Sequence, residues 1–146
     1  MYLIDTVICI RMLNNDQFII KRLRELDGLS TLSVINAGEL IYGAYKSEHI
    51  TENISSILNL LERMCEVYGI DTETIWIYGR LKAEILRRFG PKDKQKQRNF
   101  RLESLGFFDN DLWIASIAIQ HELTLITQDN DFKLLQGFEG LKLMIW

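Results

Sequence analysis

The stretch of residues 107–132 constrains the fold most, because it joins an apolar helix to an apolar strand and carries acids at both outer ends. Asp109 and Asp111 precede a run whose hydrophobic residues recur at helical spacing: Leu112, Ala115 and Ile119. Residues 123–127 are of types that favour a short buried strand. A polar turn, residues 127–131, follows at the carboxyl end of that strand. The stretch therefore predicts a helix–strand unit whose terminal carboxylates face one crevice.

The rest of the chain alternates predicted strands with predicted helices. Short apolar runs predict strands at residues 2–5, 29–32, 67–70 and 141–146. Apolar periodicity and capping residues predict helices at residues 18–26, 33–46, 54–65 and 71–89. Such alternation indicates one α/β domain, residues 1–146, with a mainly parallel central sheet.

Composition indicates an ordinary globular protein of the cell interior. The apolar fraction is 47% and the charged fraction 25%, and no run approaches the roughly 18 apolar residues of a membrane helix. The N-terminus lacks the charged and cleavable parts of a secretion signal, so we expect a cytoplasmic protein without membrane contact. Cys9 and Cys65 lie in apolar patterns and are expected to be reduced core residues. Trp76, Trp113 and Trp146 are expected in the core or at an interface.

The charge is distributed unevenly along the chain. The net charge is −3, yet residues 80–105 contain nine Lys or Arg against three acids. One interpretation is an arm that follows the phosphates of RNA, with Phe89 and Phe100 available for stacking. The alternative is a solvated loop. The basic residues concerned are Arg87, Arg88, Lys92, Lys94, Lys96, Arg98 and Arg101.

Four acids are candidates for one site. Asp5 and Asp129 each follow a predicted strand, and in parallel sheets sites form beyond the carboxyl ends of strands. Glu39 lies on the second predicted helix and Asp111 at the start of the central helix. Each acid alone has an ordinary role as a cap or turn former. Together they would repel one another unless a cation bound, and oxygen-only ligands select Mg²⁺ or Mn²⁺. Such a site favours phosphodiester hydrolysis.

The acids also lie in motifs that resemble those of PIN-domain nucleases, above all the VapC-like ribonuclease toxins of toxin–antitoxin pairs. Asp5-Thr6 matches the end of an LDTN strand, and residues 39–43, ELIYG, match an EL-x-x-G helix. Residues 111–115, DLWIA, match D-x-x-I-A, and residues 125–132, LITQDNDF, match the closing strand and turn. These motifs occur in the family's order and span essentially the whole chain.

The resemblance implies a PIN-like three-layer α/β/α fold and a Mg²⁺- or Mn²⁺-dependent endoribonuclease. It implies an acidic catalytic cluster of Asp5, Glu39, Asp111 and Asp129, with Asp5, Asp111 and Asp129 as metal ligands. Thr6, Thr127, Asp131 and Asp109 would be supporting residues, and either Asp129 or Asp131 would face the metal. The implied partners are RNA, a second copy of the chain and a small antitoxin protein that covers the site.

Two features depart from the family pattern. Val7 stands where the family usually has Asn, which removes an amide that could hydrogen-bond near the site. Residues 90–104 are longer than is typical and are expected to form a mobile basic loop. Val7 keeps open a non-catalytic module that binds RNA or protein. A phosphatase-like hydrolase with Asp5 as nucleophile is disfavoured, because Val7 occupies the place of its second acid.

Overall fold

The computed structural model describes residues 1–106 and 108–146, with the backbone alone at residues 94 and 97. Phe107 of the central stretch and the side chain of Lys94 in the basic run therefore lie outside the described residues. The strands are β1 (Tyr2–Ile4), β2 (Ser30–Ser33), β3 (Val67–Tyr68), β4 (Thr124–Thr127) and β5 (Lys142–Ile145). The helices are α1 (Thr6–Leu13), α2 (Gln17–Arg24), α3 (Val34–Tyr45), α4 (Ile50–Arg63), α5 (Thr72–Phe89), α6 (Lys94–Arg98) and α7 (Asp109–Gln120). Short 3₁₀ turns cover Leu102–Leu105, Asn130–Leu135 and Phe138–Gly140.

The described strands form one parallel sheet in the order β3-β2-β1-β4-β5. Leu3 of β1 is opposite Leu125 of β4, and Leu125 is opposite Leu143 of β5. The chain builds outward from β1 to β3 and then returns to the other side of β1 with β4. This reversal makes the carboxyl ends of β1 and β4 the switch point of the sheet, where α/β folds place their sites. The predicted α/β class is confirmed.

Helices cover both faces of the sheet, which gives the predicted three layers. Leu3 and Leu125 pack into a core with residues of α5 and α7. The next residue of each strand, Ile4 or Ile126, packs into the opposite core with residues of α1, α3 and α4. Side chains alternate between the two faces because successive residues of a strand point in opposite directions. The sheet is therefore buried on both faces.

Capping residues set the helix boundaries largely as the sequence predicts. Ser33 caps α3 and Asp71 caps α5, each in a reciprocal capping box with the residue three positions later. Asp16 caps α2 with hydrogen bonds to two backbone N–H groups. Helix α1 has no counterpart among the predicted elements. It is rich in β-branched residues, which disfavour helix, and is stabilised by the cap at Asp5 and by the burial of Ile8 and Cys9.

The core positions predicted for Cys65 and Trp76 are not observed, which leaves an interface as the remaining prediction for Trp76. Cys9 is buried, but Cys65 is exposed because it follows the end of α4 and only its backbone joins the sheet, through a bond to the carbonyl of Ser30. Trp76 is 65% exposed, because α5 turns Ile77, Leu81 and Ile85 toward the core instead.

The segment 90–104 contains helix α6 and part of a 3₁₀ turn rather than a continuous loop. None of the helices in the described ranges has the length and hydropathy that a membrane crossing requires.

Candidate active site: an acidic crevice

The four predicted acids line one cavity of about 550 Å³ at the switch point of the sheet. Asp5 follows β1, Asp129 follows β4, Glu39 comes from α3 and Asp111 from α7. The other lining residues are Thr6, Val7, Ile10, Tyr42 and Gln128. We call this cavity the acid crevice. It joins carboxylates that lie up to 124 positions apart in the chain (129 − 5).

Asp5 is the most enclosed of the four acids, with 7% of its surface exposed. Its Oδ1 accepts a hydrogen bond from the N–H of Thr6 at 2.7 Å, and its Oδ2 accepts one from the Thr127 hydroxyl at 2.6 Å. The Thr127 hydroxyl in turn accepts from the N–H of Asp129 at 2.9 Å, so its own proton is directed to Asp5. Burial raises the pKa of Asp5, and the charges of Glu39 and Asp129 raise it further, against the hydrogen bonds that lower it.

Asp111 lies in the first turn of α7, where the helix N-terminus favours a carboxylate. Its Oδ2 accepts a hydrogen bond from the N–H of Phe108 at 2.7 Å. Burial nevertheless raises the pKa of Asp111 to about 6, and the charges of Asp5, Asp129 and Glu39 act in the same direction. The crevice therefore concentrates negative charge that water screens poorly.

Both carboxylate oxygens of Glu39 are held by hydrogen bonds. The Thr6 hydroxyl donates to Oε2, and the Asn110 amide donates to Oε1 at 2.7 Å. The Asn36 amide donates to the Thr6 hydroxyl at 3.0 Å. Sequence reasoning missed Asn36 and Asn110. Their only signal is position: Asn36 lies one helical turn before Glu39, and Asn110 lies beside Asp111.

Of the two acids in the turn after β4, Asp129 lines the crevice and Asp131 does not. The N–H of Asp131 donates to Asp129 Oδ1 at 2.8 Å, so the turn orients Asp129. The Asp131 carboxylate lies against Gly106, which has a φ of +91°. A Cβ at Gly106 would lie 1.9 Å from Asp131 Oδ2, so only glycine allows this approach.

Asp109 lies outside the crevice, although it is two residues from Asp111. Its Oδ1 accepts hydrogen bonds from Lys82 Nζ at 2.6 Å and from the Tyr78 hydroxyl at 2.8 Å. Both partners belong to α5, which packs against α7. These bonds, led by the one from Lys82, lower the pKa of Asp109. This carboxylate joins two helices rather than facing the cavity.

The basic run starts and ends near the same edge of the sheet. The contact of Lys82 with Asp109 places the second half of α5 beside the start of α7, and the segment returns at Gly106 against Asp131. Arg87 and Arg88 both pair with Glu84, and Arg88 also lies 3.9 Å from the centre of the Phe138 ring. Arg87 and Arg88 are exposed despite these contacts, and so are Lys92, Lys96, Arg98 and Arg101.

The donor chemistry of the crevice fits a hard divalent cation. Its candidate ligands are carboxylate and hydroxyl oxygens, which Mg²⁺ and Mn²⁺ prefer. Burial, and to a smaller extent the neighbouring carboxylates, raises the pKa values of Asp5 and Asp111, and a bound cation would favour the ionised form of both. Within the described ranges, no three His, Cys, Asp or Glu side chains are arranged to enclose an ion by themselves. A cation here would complete its shell with water, as Mg²⁺ usually does.

Comparison with known proteins identifies the class. A PIN-domain family model matches residues 2–137, and the chain belongs to the PIN-domain family. Within that family it is similar over nearly its whole length to VapC ribonucleases, as the sequence motifs predict.

Ribonuclease VapC2 of Rickettsia felis is 30% identical over 99% of this chain and 97% of the relative. The tRNA(fMet)-specific endonuclease VapC of Salmonella typhimurium is 32% identical over the same shares of the two chains. The crystal structure of Rickettsia felis VapBC2 bound to a DNA fragment from its promoter superposes with a TM-score of 0.78 at 28% identity. That superposition covers 99% of this chain and 98% of the other.

Proposed function

We propose that this chain is a divalent-cation-dependent endoribonuclease and the toxin of a toxin–antitoxin pair. The observation that carries this proposal is the acid crevice itself, in which Asp5, Glu39, Asp111 and Asp129 line one cavity at the switch point of a PIN-domain sheet. The similarity to relatives named ribonuclease and endonuclease supports the reaction class.

The surroundings of each crevice residue determine the role we propose for it. Asp5, Asp111 and Asp129 would hold Mg²⁺ or Mn²⁺, which supplies positive charge beside the phosphate and lowers the pKa of water. Thr127 and the backbone of Thr6 fix both oxygens of Asp5, so that this carboxylate enters the reaction already oriented. Glu39, held by Thr6 and Asn110, would accept a hydrogen bond from the water that completes the cation's shell. That bond would orient the attacking water and strengthen cation binding. Asp131 supports Asp129 through its backbone.

The basic run would bind the RNA backbone as it enters the crevice. The exposed side chains of Lys92, Lys96, Arg98 and Arg101 carry this part of the proposal, since Arg87 and Arg88 are paired with Glu84. Lys94 belongs to the same predicted set. Each phosphate contact adds affinity that falls as the salt concentration rises.

The proposed partners are RNA, a second copy of the chain and a small antitoxin, and the proposed location is the cytoplasm. The named structures of relatives, which contain VapB together with VapC, support the antitoxin. An antitoxin Arg or Lys placed in the acid crevice would offset the same carboxylate charge that a cation offsets.

Cleavage of a mixed RNA pool by the purified chain, with Mg²⁺, with Mn²⁺ and with a chelator, tests the proposal. We expect cleavage only with a cation, and a loss of at least about 100-fold in Asp5→Asn and in Asp111→Asn. Asp109→Asn is the matched control, because this acid lies in the same helical turn as Asp111 but is bound to Lys82. Cleavage that persists in both crevice variants would refute the proposal.

The second candidate is a PIN-fold module that binds RNA or protein without cleaving it. The observation in its favour is Val7, an apolar side chain that lines the crevice. RNA binding by the wild-type chain that is independent of cations, together with no cleavage under any condition, would support this alternative.

A further inference from the structure

We propose that Asn36 and Asn110 are positioning residues of the acid crevice, each of which fixes one oxygen of the Glu39 carboxylate. This inference rests on the proposed function and adds residues that the sequence motifs do not contain. Asn36 acts through the Thr6 hydroxyl, whereas Asn110 contacts Glu39 directly.

The backbone N–H of Ser33 sets the orientation of the Asn36 amide. The backbone N–H of Ser33 can only donate, and it lies 3.2 Å from Asn36 Oδ1. The Ser33 hydroxyl accepts from the N–H of Asn36 at 3.1 Å and gives its own proton to the same Oδ1. The amide nitrogen of Asn36 must therefore face away from Ser33, toward Thr6.

The direction of hydrogen-bond donation continues from Asn36 through Thr6 to Glu39. Thr6 Oγ1 accepts from Asn36 Nδ2 at 3.0 Å, so its single hydroxyl proton is free to be donated to Glu39 Oε2. The chain of donors thus runs from the backbone at Ser33 through Asn36 and Thr6, and ends on a carboxylate. Asn36 has no exposed surface, so water cannot substitute for its amide.

Asn110 completes the arrangement by holding the other oxygen of Glu39. Its Nδ2 donates to Glu39 Oε1 at 2.7 Å, which connects α7 to α3. A glutamate on a helix surface has several side-chain rotamers, and holding both of its oxygens removes that freedom before substrate arrives. Val7 follows Thr6 and lines the crevice with an apolar side chain, so residue 7 offers no amide for this task.

The chain offers a matched control for the loss of a buried capping residue. Asn36 is the third residue of α3 and part of its capping box, and Thr74 has the same place in α5. Both residues are fully buried. Thr74 contacts Asp71 and Gln120 and does not line the crevice. Asn36→Ala and Thr74→Ala therefore both remove the side chain that completes a capping box, but only the first releases Glu39.

The test measures RNA cleavage and the dissociation constant for Mn²⁺ alone, by calorimetry on the full chain. We expect Asn36→Ala and Asn110→Ala each to lower kcat and weaken Mn²⁺ binding about 10-fold or more, with KM for RNA nearly unchanged. Thr74→Ala should leave all three unchanged. Asn110→Gln, which keeps a donor amide, should recover part of the loss. In a Glu39→Ala background, neither Asn substitution should add a further loss.

Asn variants that match Thr74→Ala in kcat and Mn²⁺ affinity, or losses that add fully to that of Glu39→Ala, would overturn the inference. Asn110 is exposed, so Asn110→Ala keeps the test decisive if Asn36→Ala does not fold. A wild-type chain that binds Mn²⁺ without cleaving RNA refutes the proposed function, while the Mn²⁺ affinities still decide the inference. A wild-type chain that does neither overturns both.

Discussion

At the scale of residues, the surroundings of each acid decide its role more than its place in the sequence. Asp109 and Asp111 belong to the same turn of α7, and the sequence predicts both as acids at a helix start. The hydrogen bond from Lys82 lowers the pKa of Asp109, whereas burial, together with three neighbouring carboxylates, raises the pKa of Asp111. Sequence spacing could not separate them, because the difference comes from α5, which lies 27 positions earlier at Lys82.

The raised pKa of Asp111 predicts that Asp111→Asn stabilises the cation-free chain while it abolishes cleavage. The pKa of Asp111 is about 6 in the folded chain against an ordinary 3.8. The protonated carboxyl of Asp111 therefore stabilises the folded chain fully below pH 3.8. This stabilisation is lost as the pH rises through about 6 and the carboxyl ionises. At neutral pH the variant should gain about 1 kcal/mol in the free energy of unfolding, a figure reduced for partial exposure.

Urea denaturation with a chelator, at neutral pH and near pH 4, measures this gain. It should be present at neutral pH and vanish in acid. Asp109→Asn is the control with the opposite sign, since the pKa of Asp109 is lowered and its charge stabilises the folded chain at neutral pH. Equal changes in the free energy of unfolding for the two substitutions at neutral pH would show that the ionised Asp111 does not destabilise the folded chain.

At the scale of elements, the sequence predicts α3 and α5 from capping residues that the structure confirms, and α4 and α7 from their apolar periodicity. It does not predict α1, where Thr6, Val7, Ile8 and Ile10 favour a strand. Burial against α3 and β4 overrides that preference. As a result, Thr6 begins a helix and lines the crevice. The contact between Thr6 and Asn36 depends on this helix, so the positioning of Glu39 could not be predicted from the sequence.

The basic segment around α6 predicts a specific effect of charge reversal. The double variant Lys96→Glu/Arg98→Glu should weaken binding of single-stranded RNA and reduce the dependence of log K on log salt by about 0.7 for each lost contact. The matched control is Lys21→Glu/Arg24→Glu, which makes the same change in net charge on exposed residues of α2. Fluorescence anisotropy with catalytically inactive Asp111→Asn avoids cleavage during the measurement.

An equal loss of affinity in both double variants would show that total charge, and not the basic segment, governs RNA binding. An unchanged salt dependence in the α6 variant would favour the interpretation of this segment as a solvated surface.

At the scale of the whole molecule, the order of the strands assembles the site. Asp5 and Asp129 come together because β1 and β4 are neighbours in a parallel sheet, and this much follows from the predicted alternation of strands and helices. The convergence of all four acids was predictable from their motifs. The hydrogen bonds that Asn36 and Asn110 donate were not, since these two residues lie outside those motifs.

The most direct test of the whole account compares the Mn²⁺ dependence of cleavage with Mn²⁺ binding to the crevice. The Mn²⁺ concentration that gives half-maximal RNA cleavage should equal the dissociation constant measured by calorimetry without RNA. Both signals should disappear together in Asp129→Asn. Cleavage that saturates at a Mn²⁺ concentration unrelated to this binding, or that survives in Asp129→Asn after binding is lost, would contradict the assignment of the acid crevice as the nuclease centre.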